Sequence, residues 1–210
     1  MNDKSSVKTD ERTVIHVIDD DAAMRDSLAF LLDVSGFEPK VHESADAFLS
    51  VFEPASLGCV VSDIRMPGMN GIELVRRLKG AGSACPVVLI TGHGDVGLAV
   101  EAMKAGAADF LEKPFDDAAL LGAIRAALEA QPAVQGDSTA KKEAEARLAE
   151  LSPRERDVLQ GLVAGKINKV IAHDLSISPR TVEVYRANLM AKTGARSMSE
   201  LMRIALTVGL

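Results

Sequence analysis

The chain has 210 residues, 47% hydrophobic and 26% charged, with a formal net charge of −6. Aromatics make up 3%, with no Trp and one Tyr, so any core must be aliphatic. No apolar run reaches the ~18 residues of a membrane span, and the polar start MNDKSSVKTDER lacks the apolar centre of a signal peptide; a soluble, cytoplasmic protein with no membrane partner is expected.

The length allows one large domain or two small ones, and the charge favours two. Residues 1–131 carry 12 Lys/Arg against 21 Asp/Glu, a balance of −9; residues 151–210 carry 9 against 5, a balance of +4. An acidic front and a basic back imply different partners. Cys59 and Cys85 lie in or beside apolar runs and are expected to be buried free thiols.

In chain order, VIHVI (14–18), EPKVH (38–42), CVVSD (59–63), PVVLIT (86–91) and DFLEK (109–113) read as short strands. Helical patterns separate them. Asp21 caps one through Asp33, Ser44 one through Phe52, and Ile72–Leu78 forms a third. Asp95 caps a fourth to Ala105, and Asp116 or Asp117 a fifth through Glu129. Alternating strands and crossover helices predict an α/β doubly wound sheet of five parallel strands, with function at the strand carboxyl ends. QPAVQGDSTA (131–140) reads as a linker, which KKEAEARLAE (141–150) extends as a helix.

From Leu151 the pattern is all helical. Ser152-Pro153 starts a helix to Ala164, and Ile167–Leu175 is a short second one. Ser178-Pro179 starts a third to about Thr193, and Ser197 or Ser199 opens a fourth. A short helix, a tight turn and a longer cationic helix make a helix-turn-helix.

Asp19 and Asp20 end the first strand and Asp63 the third, so parallel pairing converges three carboxylates. Oxygen ligands in an open site suit Mg²⁺. Asp21 is better placed as a cap. Thr91 and Lys113 end two further strands and would meet the other oxygens of a phosphoryl group bound to Asp63 as nucleophile. The bland reading, of caps and solvated turns, accommodates the first strand alone but not four strand ends together.

Asp19-Asp20, Asp63, Thr91, Lys113-Pro114 and the loop SDIRMPGMNG (62–71) resemble the receiver domain of two-component response regulators over residues 12–130. The resemblance implies a flavodoxin-like fold and a phosphoryl group accepted on Asp63 from a sensor histidine kinase. It implies Mg²⁺ held by Asp20, Asp63 and the backbone carbonyl of Arg65, with Asp19 acting through water. It makes Thr91 and Phe110 the switch residues; Phe at 110 lacks the hydroxyl of the usual Tyr. Within a domain of residues 151–210, residues 151–208 resemble the LuxR-type helix-turn-helix of the NarL/FixJ family through LSPRERDVL, NKVIAHDLSIS and PRTVEVYRANLMAKTGARS. Ile167 departs from the usual Ser or Thr, so Asn168 is expected to take over that cap.

On the third helix Val182, Leu189 and Met190 point inward by spacing. Thr181, Glu183, Val184, Ala187 and Asn188 are then free to enter the major groove of promoter DNA, Glu183 toward cytosine and Val184 toward a thymine methyl. Lys169, Arg180, Arg186 and Lys192 suit phosphates. A charge of +4 predicts weak binding by one copy and a dimer on two half-sites. The overall expectation is a phosphorylation-controlled transcription factor that engages RNA polymerase, phosphorylation either driving dimerisation or releasing an inhibited DNA-binding domain, between which the sequence does not choose. A phosphohydrolase using Asp63 is the alternative, but Arg65 stands where its general acid should be. A binding module that never touches DNA is a third.

Overall fold

β1 (Val14–Ile18), β3 (Cys59–Asp63) and β4 (Val87–Thr91) are almost wholly buried, which is why their sequences are continuous apolar runs rather than alternating ones. With β2 (Glu38–His42) and β5 (Asp109–Glu112) they form a parallel sheet of order β2-β1-β3-β4-β5. The computed structural model describes residues 12–53, 58–92, 96–130 and 137–210. The helices of the first domain are α1 (Ala22–Val34), α2 (Ala45–Leu49), α3 (Gly71–Gly80), α4 (Val96–Ala105) and α5 (Asp117–Glu129). Then follow α6 (Asp137–Ala149), α7 (Pro153–Val163), α8 (Asn168–Asp174), α9 (Pro179–Thr193) and α10 (Met198–Thr207).

The strand order reverses at β1 and β3, the position where open α/β sheets place their sites. Ile18 lies level with Ser62, and Asp63 with Ile90, so three strand ends align there. β2 forms one edge; Pro39, Glu38 and Lys40 discourage further pairing along it.

Caps set most helix starts. Asp21 accepts from the Ala23 amide, Ser44 from Ala47 and Asp116 from Ala119. α2 ends at Leu49, short of Phe52, because Ser50 turns its hydroxyl onto the Ala47 carbonyl and Val51 bonds back to Phe48. Phe52 still packs on Phe48, which also meets His16 and His42. The two imidazoles pair at 3.0 Å, and burial holds both below the ordinary histidine pKa, His16 at about 4. α6 starts at Asp137, inside the stretch read as linker; residues 131–136 of that stretch, and Asp95, lie outside the described residues.

Side chains alternate across the sheet into two cores. Val17, Val61 and Ile90 face α1 and α5 with Leu28, Leu32 and Ile124. Val60, Val87 and Leu89 face α3 and α4 with Leu74 and Val100, and that cluster runs on through Leu162, Val182 and Leu201 of the helical domain. The bridge is α10, packed on α4 and β5, with α7 also against α4. Cys59 and Cys85 are buried free thiols, and burial raises the pKa of both, Cys85 to about 11.

Candidate phosphoacceptor site and DNA interface

The aligned strand ends put Asp19 and Asp63 side by side and nearly buried, 3% and 7% exposed. Two adjacent buried carboxylates need a counter-charge. Lys113 supplies it, its ammonium 2.7 Å from Asp63 Oδ1 and 3.1 Å from Asp19 Oδ2. Burial pulls the Lys113 pKa down, but the hydrogen bonds and charges of Asp63 and Asp19 outweigh it and hold it above the ordinary lysine value. The other oxygens are also fixed: Asp63 Oδ2 accepts from the Arg65 amide at 2.6 Å, and Asp19 Oδ1 from the Asp21 amide at 2.9 Å. Thr91 is fully buried at the end of β4, and its carbonyl accepts from the Lys113 amide at 2.7 Å, which couples the two strand ends. The Lys113–Pro114 peptide is cis. Asp20 points to solvent.

Among the described residues no three His, Cys, Asp or Glu side chains are gathered closely enough to hold an ion unaided. Mg²⁺ does not require that, since it keeps several waters and takes one or two carboxylates. The charge also fits: Asp19, Asp20 and Asp63 against Lys113 leave two negative charges, matched by one divalent cation.

In the helical domain Val182 and Leu189 are fully buried and Met190 partly so. Glu183, Val184, Ala187 and Asn188 form the open face of α9, with Lys169 and Arg180 exposed beside it. Thr181 is half-buried, its hydroxyl 2.8 Å from Ser178 Oγ at the helix start.

Residues 15–125 match the model of the response regulator receiver domain, and residues 149–205 that of bacterial regulatory proteins of the luxR family. The transcriptional regulatory protein FixJ of Bradyrhizobium diazoefficiens is 57% identical over 93% of this chain and 96% of its own. The response regulator protein TodT of Pseudomonas putida is 40% identical over 93% and 86%. The crystal structure of full-length FixJ from B. japonicum superposes with a TM-score of 0.56 at 54% identity, covering 94% of this chain and 97% of that one. The chain is a two-component response regulator that regulates transcription. A receiver domain implies a sensor kinase partner, and a LuxR-type domain implies DNA binding. No described helix of the regulator is long and apolar enough to cross a membrane.

Two cations of the regulator that were expected on DNA phosphates are engaged within the protein. Lys192 meets Glu155 Oε2 at 2.7 Å, tying the end of α9 to the start of α7, where Glu155 completes a capping box with Ser152. Arg186 Nη1 donates to Asn168 Oδ1 at 3.0 Å. Asn168 therefore does not cap α8: the cap position is Ile167, with no side-chain hydrogen bond, and Asn168 is already the first helical residue. The sequence reading also missed Arg25, whose Nη1 donates to the Asp19 carbonyl at 2.6 Å and closes the β1–α1 turn. A spacing of six residues carries no helical signal for such a contact. It missed the Asn70–Glu73 capping box too, although Asn-x-x-Glu before an apolar run signals one.

The hydrogen bond from Lys192, with those from Ser152, depresses the Glu155 pKa to about 2. A depressed carboxyl stabilises the fold above its unfolded pKa of about 4.5, and that contribution is lost as pH falls toward 2. Glu155→Gln should lower stability at neutral pH and flatten its decline between those values. Denaturant midpoints across that range check this; an unchanged acid limb would remove Glu155 as a contributor.

Proposed function

We propose that Asp63 accepts a phosphoryl group from the histidine of the sensor kinase and that this controls pairing of the DNA-binding domains. The observation that carries the reading is the Asp63–Lys113–Asp19 cluster at the sheet's switch point. A carboxylate oxygen of Asp63 attacks phosphorus; the O–P bond forms as the P–N bond to the kinase imidazole breaks. Asp20, Asp63 and the Arg65 carbonyl would hold Mg²⁺, with Asp19 through water, and the ion would neutralise phosphoryl oxygens when bound. Lys113 exchanges part of its bond to Asp63 for the phosphoryl group, and the Thr91 hydroxyl takes another oxygen. The kinase must cover this mouth. Exposed Phe30 and Val34 on α1 suit it, beside an apolar cavity of about 660 Å³ lined by Met24, Leu31, Lys113 and Phe115.

The signal passes from Thr91 along β4–β5 to Phe110, which packs into the cluster shared by both domains. At that junction Lys104 Nζ donates to the Val163 carbonyl at 3.1 Å, capping the end of α7, and the Ser199 hydroxyl donates to Asp109. The reading face of α9 stays open in this arrangement, while α10 and the α4–β5 face cover each other. The restraint therefore acts on pairing of two copies rather than on access of one copy to DNA. Once released, two copies bind two promoter half-sites and engage RNA polymerase.

The test is incubation with acetyl phosphate and Mg²⁺, then mass, oligomeric state and gel shift, with Asp63→Asn as control. One added phosphoryl group on the wild type and none on the variant supports the assignment; equal labelling of both would sink it. Lys104→Ala should raise DNA binding by the unphosphorylated protein several-fold and enlarge its radius in small-angle scattering. No change in either would mean that the junction restrains nothing.

A further inference from the structure

We propose that Asn168 is a positioning residue for DNA: it holds the Arg186 guanidinium toward a backbone phosphate. The proposal rests on the DNA-binding role of this domain. α7, α9 and α10 each start behind a serine whose hydroxyl accepts a main-chain amide, Ser152, Ser178 and Ser197. α8 starts behind Ile167 with no such bond, although Asn, a strong capping residue, stands immediately after it. The Asn168 oxygen is instead given to Arg186, 18 residues further on.

That choice does not serve α8. A cation beside the positive end of a helix is disfavoured by the helix dipole. Two local rules are broken at one point, as happens where function outweighs stability. The chemistry of the partner shows which function. The second half-engaged cation of α9, Lys192, meets a carboxylate that cancels its charge. Arg186 meets a neutral amide, which takes one of the guanidinium's five N–H donors and leaves the positive charge and the remaining donors for a second acceptor. A phosphate diester suits that fork.

The position fits as well. Arg186 is half-buried at the seam of α8 and α9, between buried Val182 and Leu189 and the open residues Ala187 and Asn188. Flanking the reading face is where backbone phosphates are met while the centre meets base edges.

The test measures affinity of the full-length protein for a mixed-sequence DNA duplex over a salt series. Asn168→Ala should weaken binding about threefold to tenfold with the salt slope unchanged, since the charge remains. Asn168→Asp, which keeps the side chain's size, should weaken it and lower the slope by about one, as Arg186→Ala should. In an Arg186→Ala background Asn168→Ala should cost nothing further. Full affinity for Asn168→Ala, or an equal loss in that background, overturns the positioning role while leaving the phosphate contact. An unchanged slope for Arg186→Ala removes the contact itself and leaves a structural link between helices.

Discussion

Lys113→Ala should lower the stability of the metal-free protein by about 3 kcal/mol, a fall of roughly 10 °C in Tm. The ammonium lies between Asp63 and Asp19, whose side chains are 9% and 4% exposed. Removing it leaves two like charges facing each other with little water to screen them. They must then repel, take up a proton or pull in a cation. Mg²⁺ should therefore recover much of the loss, since a ligand at a hundred times its Kd adds about 2.7 kcal/mol. Wild type, with its own counter-charge, should gain less from the ion. The check is a pair of thermal melts for each protein, in chelator and in excess Mg²⁺. A variant that melts like wild type in both would mean that Lys113 is not the counter-charge. With acetyl phosphate the variant should still be labelled in part but should fail to shift DNA, because the group proposed to sense the phosphoryl oxygen is gone.

Gly71→Ala should cost about 3 kcal/mol and slow phosphorylation together. A Cβ at Gly71 would lie 2.5 Å from the Asp63 carbonyl oxygen, 3.0 Å from Ile64 Cα and 3.0 Å from Leu89 Cδ2. Two of these are backbone atoms and cannot turn aside, so α3 must withdraw from β3. Its anchor, the bond from the Gly71 amide to the Ile64 carbonyl at 3.0 Å, then lengthens. Because that strand end carries Asp63, the proposed phosphoacceptor shifts with it. Gly80→Ala is the control: apart from its chain neighbours and its own helix backbone, no atom lies within 4 Å of a Cβ there, and alanine is the better helix former. Denaturant unfolding should separate the two. If Gly71→Ala were as stable as Gly80→Ala, the close approach would not hold the loop.

The strands were legible almost to the residue because a buried parallel strand leaves an unmistakable run, as in VVLIT. Parallel pairing predicted that Asp19, Asp20 and Asp63 converge; Asp19 and Asp63 do, bridged by Lys113, while Asp20 is exposed beside them. Less legible were contacts between elements far apart in sequence. Nothing in NKVIAHD indicates that Asn168 turns to Arg186, and nothing in the α4 sequence indicates that Lys104 reaches α7. Lys192 looked like a DNA cation because its acid, Glu155, lies 37 residues away. The helix boundaries that slipped, at α2 and α6, are decided by local competition for backbone bonds and by chain outside the apolar pattern.

Under the proposed release, the junction of α10 with α4 and β5 also sets a scale for the regulator's output. Each copy that is closed 99% of the time pairs with an apparent affinity about a hundredfold below that of its open form. That ratio corresponds to about 2.7 kcal/mol, within reach of one apolar patch and two polar contacts. Reversing it to 99% open would demand about 5.5 kcal/mol from the phosphoryl group. A modest junction would therefore be an asset: near that point a single charged group can tip the balance, and each contact that strengthened the junction would make the regulator quieter at rest and harder to wake.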